Sequence, residues 1–238
     1  MKLMELSILD RALERIQNHI KTSRKNKNAL SLIRSSKLIH QIHEVVKTWI
    51  DNFHPITIRP ELNATKPEKN LDGYFKKKKQ DIFATFTNDQ QLCVNVRSQL
   101  SSICKNFDTI FERTCAEVLN IRLRHPDMIC CEVMMYPIRG MSATNTNDLL
   151  FTEKYNITQL YQKYNKLLVE YKENDKPWQY HAFAIILVDF ETTPPQFVEN
   201  YDIFKEKCPE ESLEKELFDR MSITQFIHTL SQRLQSSQ

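Results

Sequence analysis

Glycine is nearly absent: Gly73 and Gly140 are the only two in 238 residues, where about seven per cent is usual. Dinucleotide fingerprints and phosphate loops both need several glycines close together, for tight turns and for close approach of backbone to phosphate. Nucleotide-cofactor chemistry of those two kinds is therefore excluded. Long apolar runs are missing as well. The longest, Ala182 to Val188, falls far short of the roughly eighteen residues that cross a bilayer. Met1 to Asp10 lacks the apolar region and small-residue cleavage site of an export signal. The six cysteines, Cys93, Cys104, Cys115, Cys130, Cys131 and Cys208, form no C-x-x-C pair and have no histidines at zinc-ligand spacing. The expectation is a soluble cytoplasmic protein with free, buried thiols, whose core holds without disulfides.

Charge is present in quantity but almost balanced, with 33 Lys plus Arg against 30 Asp plus Glu for a net +3. Its distribution is uneven. Residues 19 to 37 carry six basic side chains (Lys21, Arg24, Lys25, Lys27, Arg34, Lys37) and no acidic one, and residues 76 to 79 are four consecutive lysines. Acidic residues gather instead near Glu210 to Asp219. One basic face and one acidic face suit a polyanionic ligand; the plain alternative is a pair of solvated charged surfaces.

Hydrophobic periodicity predicts the elements. Leu9, Leu13, Ile16 and Ile20, then Ile39, Ile42, Val45, Val46 and Trp49, recur at helical spacing and predict two helices up to Phe53, broken near Ser23 to Asn28. A polar segment with Pro55, Pro60 and Pro67 follows, without periodicity of its own. Tyr74 to Phe86 and Gln91 to Arg97 alternate as two strands around a turn at Thr87 to Gln90. A helix then carries Ile103, Phe107, Ile110, Phe111, Cys115, Val118, Leu119 and Leu123 as its stripe. Met128 to Ile138 reads as a third strand, Ile157 to Tyr171 as a helix, and Ala182 to Phe190 as a central strand covered on both faces. Two short helices, Ser212 to Arg220 and Ser222 to Arg233, end the chain. The predicted class is α/β: a mixed β-sheet of at least four strands flanked by helices on both faces. We expect one domain over 1–238, with a helical part at 1–53, a core at 71–190 and C-terminal helices at 205–238.

The alternation has a chemical consequence. Pairing the apolar faces of the two hairpin strands places Asp81 on the same side as Asn95 and Arg97. Metal-dependent phosphodiester cleavage needs carboxylates converging on a hard cation that polarises phosphate and acidifies water, with a basic group beside them. Only one acid lies in the hairpin. Glu112, on the following helix with Lys105 and Asp108, is the first candidate for a second; Glu117 and Glu44 are weaker ones. Asp127 with Glu132-x-Met134 imitates the pattern, but four intervening residues build no hairpin and the basic residue is absent.

The stretch LDGYFKKKKQDIFATFTNDQQLCVNVRSQLSSICKNFDTIFERTCAEVL (Leu71 to Leu119), with ILVDF and TTPP between Ile186 and Pro195, resembles type II restriction endonucleases of the PD-(D/E)XK superfamily. The resemblance implies a restriction-endonuclease-like fold and magnesium-dependent, site-specific hydrolysis of double-stranded DNA. It also implies a homodimer and a cognate DNA methyltransferase encoded nearby. Position by position it puts the first acid on Asp81, the second on Asn95 and the lysine on Arg97. Asn95 departs from the pattern, so Asp81 and Glu112 are the expected metal ligands. Lys76 and Lys78 are expected to touch backbone phosphates, with Gln99, Ser101 and Lys105 at the start of the following helix. Asn145, with Thr144 and Asn147, is chemically able to read base edges. Two other readings stay open: a DNA-binding or regulatory protein whose nuclease site has decayed, and an interaction protein with no nucleic-acid role.

Overall fold

The computed structural model of the chain describes residues 2–25, 36–60, 68–87, 89–141, 151–169 and 176–235. Two helices open the fold, α1 (Lys2–Lys25) and α2 (Ser36–Asp51). Their apolar residues three and four apart form one face each. Leu9, Leu13, Ile16 and Ile20 of α1 are buried with Leu38, Ile42, Val45, Val46 and Trp49 of α2. The break expected near Ser23 to Asn28 falls largely outside the described residues.

Short strands β1 (Thr57–Arg59), β2 (Lys69–Asp72), β3 (Lys77–Gln80) and β4 (Ile82–Thr85) follow, then the long β5 (Gln91–Ser98). The single strand expected over Tyr74 to Phe86 is therefore two. β3 pairs with β2 as a separate two-stranded hairpin, and β4 joins the main sheet. The lysine run explains the division, because Lys77 and Lys79 stay exposed on a hairpin while Ile82, Phe83 and Ala84 enter the core.

Helix α3 (Ile103–Arg122) leads to β6 (Ile129–Pro137), the small pair β7 (Gly140–Met141) and β8 (Phe151–Glu153), and helix α4 (Ile157–Asn165). β9 (Ala182–Asp189), β10 (Gln196–Phe197) and helices α5 (Tyr201–Lys207), α6 (Lys215–Arg220) and α7 (Ile223–Gln235) complete the chain. α4 ends earlier than the expected Tyr171, which lies outside the described residues, and α5 was not foreseen. Capping locates both starts. Asn156 accepts the N–H of Gln159 (2.7 Å) and Asn200 that of Ile203 (3.0 Å). Glu211 also accepts the N–H groups of Ile157 (3.0 Å) and Thr158 (2.8 Å), tying the C-terminal part to α4.

The main sheet has six strands in the order β1-β4-β5-β6-β9-β10. β1, β4 and β5 run antiparallel, β5, β6 and β9 run parallel, and β10 returns antiparallel at the far edge. The expected mixed sheet with helices on both faces is present. α1, α2 and α7 cover one face, over Ile82, Val94, Val96, Val133 and Ile186. α3, α4, α5 and α6 cover the other, over Phe83, Cys93, Met134, Phe183 and Ile185. All nine residues of β6 and all eight of β9 are buried, as strands covered on both sides require. Among the described residues no helix is long and apolar enough to cross a membrane.

The six cysteines are free thiols; Cys93, Cys130, Cys131 and Cys208 are buried and Cys104 is exposed. Cys93 and Cys130 face each other across β5 and β6, with their sulfurs 3.3 Å apart. Cys131 belongs to the opposite core layer.

Candidate functional site

Asp81 is the residue between β3 and β4, one step beyond the Ile82–Val94 pair, and so stands level with Asn95. Its carboxylate accepts the Val96 N–H at 2.8 Å. The ladder between β4 and β5 ends there, and the side chain satisfies a donor that the backbone no longer meets. The ring of His43, on α2, lies with Nε2 3.4 Å from the Val96 carbonyl. Burial pushes the His43 imidazole below its ordinary value, against the pull of Asp81.

Alternation along β5 turns Asn95 and Arg97 to the face covered by α3, together with Cys93. The Arg97 guanidinium lies 2.9 Å from the Thr114 hydroxyl, donates to Glu117 of α3, and stands 3.1 Å from the Glu132 carboxylate of β6. Glu117 collects two further cations, Lys78 of β3 at 2.8 Å and Arg113 at 2.9 Å. Burial opposes its charge, but Arg97, Lys78 and Arg113 outweigh that and hold its carboxyl below the usual range. For Arg97 burial works against the cation, yet Glu132, Glu117 and Asp81 keep it firmly charged.

Glu132 differs from Glu117. It is paired in register with Asn95, is fully buried, and neither carboxylate oxygen meets a partner in hydrogen-bond geometry. Burial pushes its carboxyl up to about 7, against Arg97 and the Tyr180 hydroxyl. Asp81, Asn95 and Glu132 therefore stand abreast on consecutive strands, with Arg97 two residues further along β5 and Thr114 and Glu117 above it.

The expected partnership of Asp81 with Glu112 is not formed. Glu112 is exposed, and it lies about 140° round the helix from Glu117 and about 160° from Thr114, the α3 residues that meet Arg97. The expected inward stripe of α3 does face the core, with Ile103 and Val118 buried and Phe107, Ile110, Phe111 and Cys115 packed more shallowly against it, but the buried face is wider than expected and also takes in Thr114, Glu117 and Asn120. Lys78 turns inward to Glu117 rather than out to a ligand, whereas Lys76 and Lys105 are exposed. Gln99 donates to the Ser101 carbonyl, so its amide is engaged within its own loop. Asn145, with Thr144 and Asn147, lies outside the described residues. Sequence reasoning set Glu132 aside as an imitation of the motif; the signal it did not weigh was an ionisable side chain inside an otherwise apolar strand.

Among the described residues no group of three or more His, Cys, Asp and Glu side chains is placed to hold a metal ion. No family model, curated protein or solved structure matches the chain.

Proposed function

We propose that the chain is a phosphodiester hydrolase of restriction-endonuclease type acting on double-stranded DNA, with its acidic centre on Asp81 and Glu132 either side of Asn95. The observation that supports this reading is that row of oxygen-bearing side chains on adjacent strands, with Arg97 on the same strand as Asn95. The donors suit a hard cation in kind, being two carboxylates and an amide oxygen. Glu132 is fully buried beside Asn95, and Arg97 is the cation that already faces its carboxylate. Magnesium held there would supply a Lewis acid for the phosphate and an acidified water. Arg97 would offset charge growing on the phosphate, Asn95 would orient the groups beside it, and the exposed Lys76, Lys77 and Lys79 would meet the DNA backbone.

A second reading, a DNA-binding protein on the same scaffold without chemistry, is favoured by one specific observation. Arg97 already faces both Glu117 and Glu132, beneath α3. One experiment separates the two. Unmethylated phage DNA is incubated with the protein in magnesium and in EDTA, and the products are run on a gel beside a mobility shift. Hydrolysis predicts discrete magnesium-dependent bands that Asp81→Asn and Glu132→Gln abolish while the shift persists. Intact DNA with a persistent shift would leave the binding protein, and intact DNA without any shift would overturn both readings.

A further inference from the structure

We infer that the tip of the β2–β3 hairpin is a stacking site for unpaired nucleic-acid bases, carried by Tyr74 and Phe75 and flanked by Lys76, Lys77 and Lys79. The inference rests on the reading above only in taking nucleic acid as the ligand.

Large aromatic side chains seldom stand exposed side by side, yet Tyr74 is 64% and Phe75 67% exposed. Their rings meet edge to face, with centroids 5.0 Å apart at 81°, so each ring supports the other while leaving surface open. The tip beneath them is fixed. Buried Asn120 of α3 accepts the N–H groups of Phe75 (2.7 Å) and Lys76 (3.1 Å) and donates to the Lys76 carbonyl (2.9 Å). Its own carbonyl accepts the N–H of Tyr74 at 2.8 Å. Gly73 packs so tightly here that an added Cβ would lie 2.1 Å from the Asn120 amide nitrogen. A turn whose backbone is held at this many points presents its aromatics without a backbone ordering cost on binding.

Charge selects the ligand class. Alternation along β3 sends Lys78 inward to Glu117 and leaves Lys77 and Lys79 exposed on the other side, about 7 Å apart. Lys76 adjoins them, and the nearby acid, Asp72, is itself exposed and paired only at 3.4 Å with Lys77. Two aromatic rings edged by lysines match a polyanion that also offers flat faces, which is a strand with unstacked bases. The tip lies six residues from Asp81, up to about 20 Å along extended chain, so a strand gripped there can run toward Asp81.

The test is fluorescence anisotropy of a labelled mixed-sequence single strand and of its duplex across a salt series. The wild-type protein should bind the single strand. Tyr74→Ala/Phe75→Ala should bind it at least about tenfold more weakly with an unchanged salt slope. Lys77→Ala/Lys79→Ala should instead flatten that slope by about 1.4. Photocrosslinking of an iodouracil-containing strand to the wild-type protein should map to Tyr74 or Phe75, which keeps the test independent of how the variants fold. Unchanged affinity in the aromatic variant, crosslinks confined to other residues, or wild-type binding to phosphatidylserine vesicles but not to the strand would each overturn the inference. Strand binding without DNA cleavage would sink the hydrolase reading and leave this one standing. Cleavage with an aromatic variant that binds normally would do the reverse.

Discussion

A glutamate enclosed in the middle of a sheet titrates according to its surroundings, and burial pushes the Glu132 carboxyl up from its ordinary 4.5 to about 7. A carboxyl whose folded value exceeds its unfolded one lends stability while protonated. That contribution is complete below about pH 4.5 and is lost as pH rises through about 7. Glu132→Gln should therefore flatten the dependence of the melting midpoint on pH between those limits, removing up to roughly 3 kcal/mol of pH-dependent stability; an unchanged slope would assign the titration to another group. Glu117 runs the opposite way. Its depressed value lends stability above the ordinary carboxyl range that fades as pH falls below it. Asn120 makes a second residue-scale prediction. Asn120→Ala strips the turn of three side-chain bonds and should cost about 2 kcal/mol in urea unfolding, with faster chymotrypsin cleavage after Tyr74 or Phe75. Asp81, Asn95 and Arg97 were legible because period-two alternation within one hairpin sets their side. Glu132 was not, since its relation to Asn95 arises from parallel pairing across a crossover, which local spacing does not encode.

At the scale of elements, strands with strong and continuous apolar character were the readable ones. β6 and β9 appear close to the predicted bounds because strands enclosed on both faces read as nearly continuous apolar runs, interrupted only by Glu132 in β6 and closed by Asp189 in β9. β9 should also be the least tolerant of truncation. Ile186 is fully buried between two core-lining neighbours, Ala184 and Val188, so Ile186→Ala should destabilise the protein by roughly 2–5 kcal/mol, measured as a lowered urea midpoint. A loss under 1 kcal/mol would mean that the layer collapses around the gap. The β2–β3 hairpin was illegible for a definite reason. Tyr74 to Phe86 alternates well enough for one strand, and only the pairing of Lys77–Gln80 back onto β2 and of Ile82–Thr85 onto β5 reveals that it changes sheets at Asp81. The polar part of the buried face of α3 was equally hidden. Its apolar stripe does face the core, but the ion pairs of Glu117 with Arg97 and Lys78 and the bonds of Asn120 to the hairpin bury a polar strip beside it that periodicity does not encode.

Across the whole molecule, one sheet separates two apolar layers that share no side chains, only the strands between them. The parallel pairing of β5, β6 and β9 joins segments far apart in the chain, so neither layer closes until the central strands are in place. Cys130 and Cys131 are neighbours on β6, yet one faces the α3–α6 layer and the other the α1, α2 and α7 layer. Adjacent thiols thus watch opposite sides of the same wall. In a pulse of alkylating reagent at rising urea, mapped by mass spectrometry, equal labelling rates for the pair would record both layers parting in one step. A lead by either sulfur would name the side that opens first, with Cys104, already exposed, serving as the internal clock for reagent strength.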